Sequence, residues 1–184
     1  MKITLRKIKL KNEESVTLRG VTPSDAQSML NHLQATHSES YKNLNQTAEF
    51  WHDFSVEKEK EILSDFSSSK SKFLIVATIA EKIIGGLGVV ASQGPFHNKN
   101  GRIGMSIQSD FSNLGLGTHM MEFAKDTARS YGFHRLELTV RSYNTPGISL
   151  YEKTGFEKVG TLKQVAFIDR MFVDEHYYQL LLNS

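Results

Sequence analysis

The chain has 184 residues, a length that suits one domain and allows a buried core without metal or disulfide support. Its 22 basic and 20 acidic residues give a net charge of +2, which argues against nucleic acid as a major ligand. It contains no cysteine, so disulfide frameworks and thiolate metal sites are excluded.

The N-terminal stretch MKITLRKIKLKNEES alternates charged and apolar residues and lacks the continuous apolar run of a signal peptide. No segment approaches the roughly 20 apolar residues of a membrane span. We therefore expect a cytoplasmic protein without membrane contact. The seven histidines have no ligand spacing, and we expect no metal site.

The first third of the chain predicts one short strand and two helices. Residues 16–20 read as a strand, and the Thr-Pro-Ser-Asp sequence at 22–25 is typical of a helix start, with the helix running to about Gln34. Residues 37–54 are polar with scattered aromatics and read as loop. Ser55 can cap a second helix that runs to about Phe66.

The middle of the chain predicts antiparallel strands followed by a strand, helix and strand. FLIVATIA (73–80) and KIIGGLGVVAS (82–92) form a β-hairpin pattern, residues 93–101 a loop, and residues 102–108 another strand. Apolar residues at three- and four-residue spacings predict a helix from 116 to Gly132. A strand at 134–140 follows, and should lie parallel to 102–108 through a right-handed crossover.

The last third predicts a short helix at 145–153, ended by Gly155, and a closing antiparallel hairpin from residues 156–169 and 171–182. Residues 1–184 then make a single α+β domain, with helices flanking a mixed, mostly antiparallel sheet that contains one splayed parallel strand pair. A ligand can bind where the parallel strands part.

Two glycines, Gly115 and Gly117, precede the central helix in the stretch FSNLGLGTHMM (111–121). A helix N-terminus has unpaired N–H groups and favours anions, especially phosphate, and glycines let a phosphate oxygen approach them. A plain turn is the alternative. The stretch lacks the Gly-Lys-Ser/Thr of a nucleotide-binding P-loop, and Met120 stands where a dinucleotide fingerprint needs a third glycine.

A second motif, NTPGISLYEKTGF (144–156), follows the next strand. Together with the glycine turn it resembles the GNAT superfamily of acyl-CoA N-acyltransferases, closely over about residues 100–160 and loosely over the whole chain. The resemblance implies an α+β GNAT-like fold, acetyl-CoA as donor and an amine as acceptor.

The resemblance also implies which residues bind the coenzyme. Main-chain amides of the glycine turn would hold the pyrophosphate: Asn113, Leu114, Gly115, Leu116, Gly117 and Thr118. The family has Gln or Arg where this chain has Ser112, which removes a side chain but leaves the main-chain donors. The preceding strand, at Met105, Ser106 and Ile107, would pair with pantetheine, and Asn144 would contact the coenzyme arm.

Acetyl transfer needs a deprotonated amine, donors for the oxyanion and a proton for the leaving thiolate. The resemblance places Tyr151 near the thioester sulfur as the proton donor, with packing in the core as the alternative. The Ile107 N–H could polarise the carbonyl. Some family members have a glutamate where this chain has Thr139, and Glu137 on the same strand face could act through water, or serve only as a surface or ion-paired carboxylate.

The acceptor is left open by the sequence. Glu39, Tyr41, Trp51 and His97 fall in segments that would frame its pocket. We expect direct transfer to a small amine, amino acid or protein N-terminus, because no cysteine can carry the acetyl group. Ser112 and Thr139 also permit a catalytically inactive coenzyme-A-binding module, and a plain partner-binding domain is a third alternative. Edge strands and the closing hairpin favour a homodimer.

Overall fold

The computed structural model describes residues 3–182 as strands and helices arranged around one sheet. The strands are β1 (Arg6–Lys9), β2 (Ser15–Gly20), β3 (Lys72–Ile79), β4 (Lys82–Ala91), β5 (Asn100–Ile107), β6 (Arg135–Arg141), β7 (Glu157–Ile168) and β8 (Met171–Leu181). The α-helices are α1 (Ala26–Ser40), α2 (Ala48–His52), α3 (Val56–Ser68), α4 (Leu116–Ser130) and α5 (Thr145–Lys153).

The sheet has the order β1-β2-β3-β4-β5-β6-β8-β7. Within the described residues every neighbouring pair is antiparallel except β5 and β6. The predicted α+β class, the mixed sheet and the parallel pair flanking α4 are therefore confirmed. No helix within residues 3–182 is long and apolar enough to cross a membrane.

The two faces of the sheet are covered by different helices. The larger core cluster packs α4 on one face, where the buried stripe predicted for this helix is confirmed at Met120, Ala124 and Ala128. The smaller cluster packs α1 and α3 on the other face, through residues such as Met29 and Leu63. Each helix buries one apolar side, and burial of this kind contributes about 25 cal/mol for each Å² of apolar surface.

Helix α1 begins at an ion pair that joins it to the sheet. The Arg19 guanidinium on β2 contacts both carboxylate oxygens of Asp25, at 2.7 and 2.6 Å. Burial alone would raise the pKa of Asp25, but the hydrogen bonds from Arg19 and from the Thr22 N–H outweigh it, so this pKa is lowered. The charged pair is thus held at the point where the chain leaves the sheet.

Three elements differ from the sequence prediction. Helix α1 continues past Gln34 to Ser40. In this extension Thr36 and His37 are buried, and they satisfy their polar atoms on carbonyls one turn earlier, those of His32 and Leu33. Within the predicted loop at 37–54, Thr47 caps the short helix α2. The N-terminal segment contributes strand β1, which pairs with β2.

Strands β5 and β6 pair over only three residues and then separate. Their register joins Asn100–Arg102 to Arg135–Glu137. On its other edge β5 stays paired with β4 as far as Ile107. One edge of β5 from residue 103 onward therefore faces a gap in the sheet.

The closing hairpin is confirmed as β7 and β8, which places β7 at the edge of the sheet. Its two turn residues, Asp169 and Arg170, both have positive φ, 50° and 63°. This conformation matches the right-handed twist of a tight hairpin. The turn reaches back to the end of α1, where Lys42 forms an ion pair with Asp169 at 2.6 Å.

Candidate active site

A cavity of about 590 Å³ lies where β5 and β6 separate. It is lined by β5, the end of β6, the glycine turn, α5 and the segment after α1. Nine of the predicted site residues line it: Met105, Ser106, Ile107, Asn113, Gly115, Gly117, Thr118, Asn144 and Tyr151. Leu114 and Leu116 contribute side chains to the core instead, so only their main-chain atoms are available to a ligand.

A side chain at either glycine of the turn would strain the backbone or clash with a neighbouring residue. Gly115 has φ of 89°, and a Cβ added there would meet no atom within 4 Å. A Cβ on Gly117 would lie 2.9 Å from Leu150 Cδ2 on α5. Gly115 gives α4 no side-chain cap, so the first N–H groups of this 15-residue helix have no partner from a capping side chain. The geometry suits an anion at this end of the cavity.

Two lysines add positive charge to the cavity wall. Lys11, in the turn between β1 and β2, lies against the glycine turn, because its main-chain N–H donates to the Leu114 carbonyl at 3.1 Å. Lys153 lies at the end of α5, and both side chains are exposed. Neither lysine was predicted, since Lys11 is about 100 residues from the turn. These cations can offset the missing Gln or Arg at Ser112.

Strand β5 presents main-chain groups to the gap. The Gln108 N–H donates to the Ile84 carbonyl on β4 at 3.0 Å. Because successive N–H groups of a strand point to opposite edges, the Ile107 N–H faces the gap. An extended ligand can therefore pair with this edge as a strand would.

Ser106 on the same strand is held by a buried histidine. His32 Nε2 lies 2.9 Å from Ser106 Oγ, and His32, a residue of α1, is fully buried. Burial, with a smaller contribution from His37, lowers the pKa of His32 to about 4. The imidazole is therefore neutral near pH 7, and it orients the Ser106 hydroxyl on the cavity wall. No local signal marked His32, which is 74 residues away in the chain.

Tyr151 enters the cavity from α5. Its ring packs against Phe156 and Tyr178, with centroid distances of 6.1 and 6.3 Å. Within residues 3–182 its hydroxyl has no hydrogen-bond partner, whereas the Tyr178 hydroxyl donates to Glu152 at 2.9 Å. Burial raises the pKa of Tyr151 to about 12. Tyr151 therefore lines the cavity and also packs in the core, and its role as proton donor stays a prediction.

Asn144 has two structural roles. Its side-chain oxygen accepts from the Gly147 N–H at 3.1 Å and so caps α5, and the residue also lines the cavity. The cap holds α5, and with it Tyr151, at the end of β6.

Glu137 is not brought to the cavity. Its carboxylate forms an ion pair with Arg135 and accepts from the Tyr177 hydroxyl at 2.7 Å. Thr139, two residues later on the same face, does line the cavity. The geometry of Glu137 therefore matches the ion-paired alternative, and its catalytic role stays a prediction.

Two charged residues that the motifs did not identify meet on the cavity wall. Arg141, the last residue of β6, and Glu175 on β8 are cross-strand partners and form a buried ion pair. Glu175 lies in the closing hairpin, yet it is only 8% exposed. Arg141 ends β6, one strand of the parallel pair, and lies three residues before the NTPG motif. This position could have identified it as a candidate site residue.

The residues predicted to frame the acceptor pocket are only partly assembled. Glu39 and Tyr41 line a smaller neighbouring cavity of about 300 Å³ that shares Asn144 with the main one. Trp51 and His97 line neither cavity. Within residues 3–182 no group of three or more His, Asp or Glu side chains is arranged to hold a metal ion.

The fold and the site together define a class of protein. A mixed sheet opens at one parallel pair onto an uncapped helix N-terminus, and a tyrosine lines the same gap, as the acyltransferase motifs implied. The chain belongs to the acetyltransferase (GNAT) family, whose family model matches residues 27–156.

Known relatives are N-acetyltransferases at low identity. L-amino acid N-acetyltransferase AaaT from Escherichia coli (strain K12) is 31% identical over 104 residues, a match that covers 56% of this chain and 64% of that protein. The match thus spans less than two thirds of the relative.

Solved structures share the fold over nearly the whole chain. An acetyltransferase of the GNAT family from Streptococcus pneumoniae has a TM-score of 0.86 at 25% identity, covering 91% of this chain and 99% of that one. RimJ from Mycobacterium smegmatis, solved in complex with CoA-disulfide, has a TM-score of 0.78 at 21% identity, covering 96% and 86%.

Proposed function

We propose that this protein transfers an acetyl group from acetyl-CoA directly to a primary amine in the cytoplasm. The observation that carries the proposal is the convergence of the glycine turn, the unpaired edge of β5 and Tyr151 on one cavity. The rival function, a coenzyme-A-binding module without catalysis, shares the first two features but has no use for Tyr151.

Two parts of the chain would hold the donor. The N–H groups of residues 113–118 would bind the pyrophosphate, with Lys11 and Lys153 adding positive charge. The edge of β5 at Met105 and Ile107 would pair with the amides of the pantetheine arm. When bound, acetyl-CoA supplies a thioester carbonyl at the point where the strands separate.

The residues around the gap can serve each step of the transfer. The amine nitrogen forms a bond to the carbonyl carbon, the carbon–sulfur bond breaks, and the amine loses a proton while the thiolate gains one. The Ile107 N–H faces the gap and can donate to the oxyanion. The Tyr151 hydroxyl, protonated at neutral pH, can donate to the sulfur.

The Tyr151 pKa of about 12 defines how this donation works. A thiol has a pKa of about 8 to 9, so complete transfer of the phenol proton to the thiolate is uphill. We infer that Tyr151 stabilises the developing sulfur charge by a hydrogen bond, and that the final proton comes from the amine or solvent.

Glu137 remains our prediction for the base, acting through water. Its partners Arg135 and Tyr177 would have to release the carboxylate partly for this role. If Glu137→Gln leaves the pH profile of kcat/KM unchanged, Glu137 is not the base.

The test is release of free thiol from acetyl-CoA with a panel of amino acids, small amines and peptides with free N-termini. We expect turnover with at least one acceptor class, and mass spectrometry of the acceptor should show an added acetyl group. A relative of this chain is named as an L-amino acid N-acetyltransferase, so amino acids head the panel.

Thermal unfolding with coenzyme A separates the alternatives. Saturation at 100 times the dissociation constant stabilises a protein by about 2.7 kcal/mol. Stabilisation without turnover of any acceptor would favour the inactive module, and the absence of any shift would favour a plain partner-binding domain.

A further inference from the structure

We propose that Arg141 binds the carboxylate of the acceptor, so that the acceptor is an amino acid or another amine with a nearby carboxylate. The inference rests on the proposed function and narrows its acceptor class. It comes from the arrangement of donors around one buried guanidinium on the wall of the main cavity.

Arg141 has a donor that nothing in the described chain uses. Its Nε is buried and has no hydrogen-bond partner among residues 3–182. A buried N–H without an acceptor is destabilising, so native proteins rarely leave one without a protein, water or ligand partner. Arg141 as a whole is 9% exposed, and it lines the cavity.

The other two nitrogens show which edge of the guanidinium is available. Nη1 is paired with the Glu175 carboxylate. Nη2 donates to the Asn45 side-chain oxygen at 3.3 Å, a long hydrogen bond to an exposed residue. Nε and Nη2 form one edge of the planar group, and a carboxylate can accept from both at once. Movement of the Asn45 side chain would open this edge to the cavity.

The position of Arg141 places this edge on the acceptor side of the gap. Arg141 and Glu175 are directly opposite on β6 and β8, so they share one face of the sheet. Asn45, which contacts Arg141, belongs to the segment after α1, so this is the face that α1 covers. Tyr151 packs with Tyr178 in the cluster on the α4 face. A thioester passing through the gap would have Tyr151 on one side and Arg141 on the other.

The charge of the cavity wall favours an acceptor with a negative group. Four cations line the cavity within the described chain, and Glu175 is the one carboxylate among its lining residues. The cations are Lys11, Arg102, Arg141 and Lys153. Lys11 and Lys153 lie at the end proposed for the pyrophosphate, so Arg102 and Arg141, on the strands that open the gap, are the cations left for an acceptor. Glu175 is then placed to attract the acceptor's ammonium group, while Arg141 holds its carboxylate.

The experiment compares matched acceptors with and without the carboxylate. Each L-amino acid that is acetylated is paired with its α-amide, which retains the amine and side chain. We expect Arg141→Lys to lower kcat/KM for the amino acid about 10- to 100-fold, the loss typical of a hydrogen bond to a charged group, and to leave the amide within about twofold. Lysine retains the positive charge beside Glu175 but has no Nε–Nη2 edge.

A second variant separates binding from folding. Arg141→Gln combined with Glu175→Gln removes both charges, so no buried charge is left unpaired, and it should unfold at a temperature close to that of wild type. It should also lose the preference for the amino acid over the amide. Equal activity of wild type on both members of each pair would overturn the inference.

A binding measurement makes this test independent of turnover. Calorimetry would titrate the twenty common L-amino acids into the wild-type protein saturated with coenzyme A. If an amino acid binds and Arg141→Lys weakens that binding, the inference is supported even without acetyl transfer. Failure of the acetyl-transfer assay would then count only against the proposed function. Binding of no amino acid to the wild-type complex, or equal binding to the variant, would overturn it.

Discussion

At the scale of single residues, the site depends on groups whose ordinary chemistry is changed by burial. The pKa of His32 is lowered to about 4 and that of Tyr151 raised to about 12, in both cases because burial disfavours the charged form. Both side chains are therefore neutral at pH 7. The fixed charges on the acceptor side come instead from Arg141 and Glu175, which compensate each other.

For Tyr151→Phe we expect kcat to fall about 10- to 100-fold, because the hydroxyl that donates to the leaving sulfur is lost. The ring remains, so packing against Phe156 and the affinity for coenzyme A should change little. Steady-state kinetics together with calorimetry of coenzyme A binding check this. Tyr178→Phe is the matched control, since its hydroxyl is directed to Glu152, and it should retain kcat. Wild-type kcat in Tyr151→Phe would show that the residue only packs.

At the scale of elements, the N-terminus of α4 is the part that we propose to bind the coenzyme A pyrophosphate. The helix buries an apolar stripe against the sheet and leaves its uncapped first turn at the cavity. The turn that leads into it has left-handed backbone at Asn113 and Gly115, with φ of 61° and 89°. Glycine adopts a positive φ at little cost in free energy, whereas a residue with a Cβ at position 115 would be strained.

For Gly115→Ala we expect a loss of about 1 kcal/mol in the free energy of unfolding, from backbone strain at positive φ. Coenzyme A affinity should fall about fivefold or more, because relief of the strain moves the N–H groups away from the pyrophosphate. Denaturant unfolding and calorimetry measure the two effects.

Gly160→Ala is the control for this substitution. Gly160 lies on β7 away from the cavity, and an added Cβ there meets no atom within 4 Å. Unaltered coenzyme affinity in Gly115→Ala would show that the turn does not hold the pyrophosphate.

At the scale of the whole molecule, the closing hairpin forms one edge of the sheet and bears exposed apolar side chains. Phe167 and Phe172 are 64% and 65% exposed, and their ring centroids lie 5.0 Å apart. Strand β7 also presents an unpaired backbone edge within the described sheet. Exposed edges of this kind are prone to pairing with another chain.

We expect the protein to be a homodimer that uses this hairpin. Sedimentation velocity at micromolar concentration should give the mass of two chains, and the double variant Phe167→Ser and Phe172→Ser should give one. Because both rings are exposed in the single chain, the variant monomer should remain folded. A wild-type protein that sediments as a monomer at every concentration would contradict the expectation.

The local sequence was sufficient to predict most of the element order, and it identified nine of the residues that line the main cavity. Helix α4 was predictable from its regular apolar spacing, and the glycine turn and Asn144 from short motifs, because these signals depend on neighbours within a few residues. Predictions failed at the end of α1, where Thr36 and His37 are buried, and at α2, which Thr47 caps. Strand β1 was also not predicted.

Only the tertiary structure assembles the residues of the acceptor side that we propose. It brings Arg141 against Glu175, His32 against Ser106, and Lys11 beside the glycine turn, pairs that are far apart in sequence. It also directs Glu137 into an ion pair away from the cavity, although Thr139 on the same strand face lines it. Helices and turns follow from local backbone preferences, whereas a pocket depends on strand register and on which face each distant segment covers.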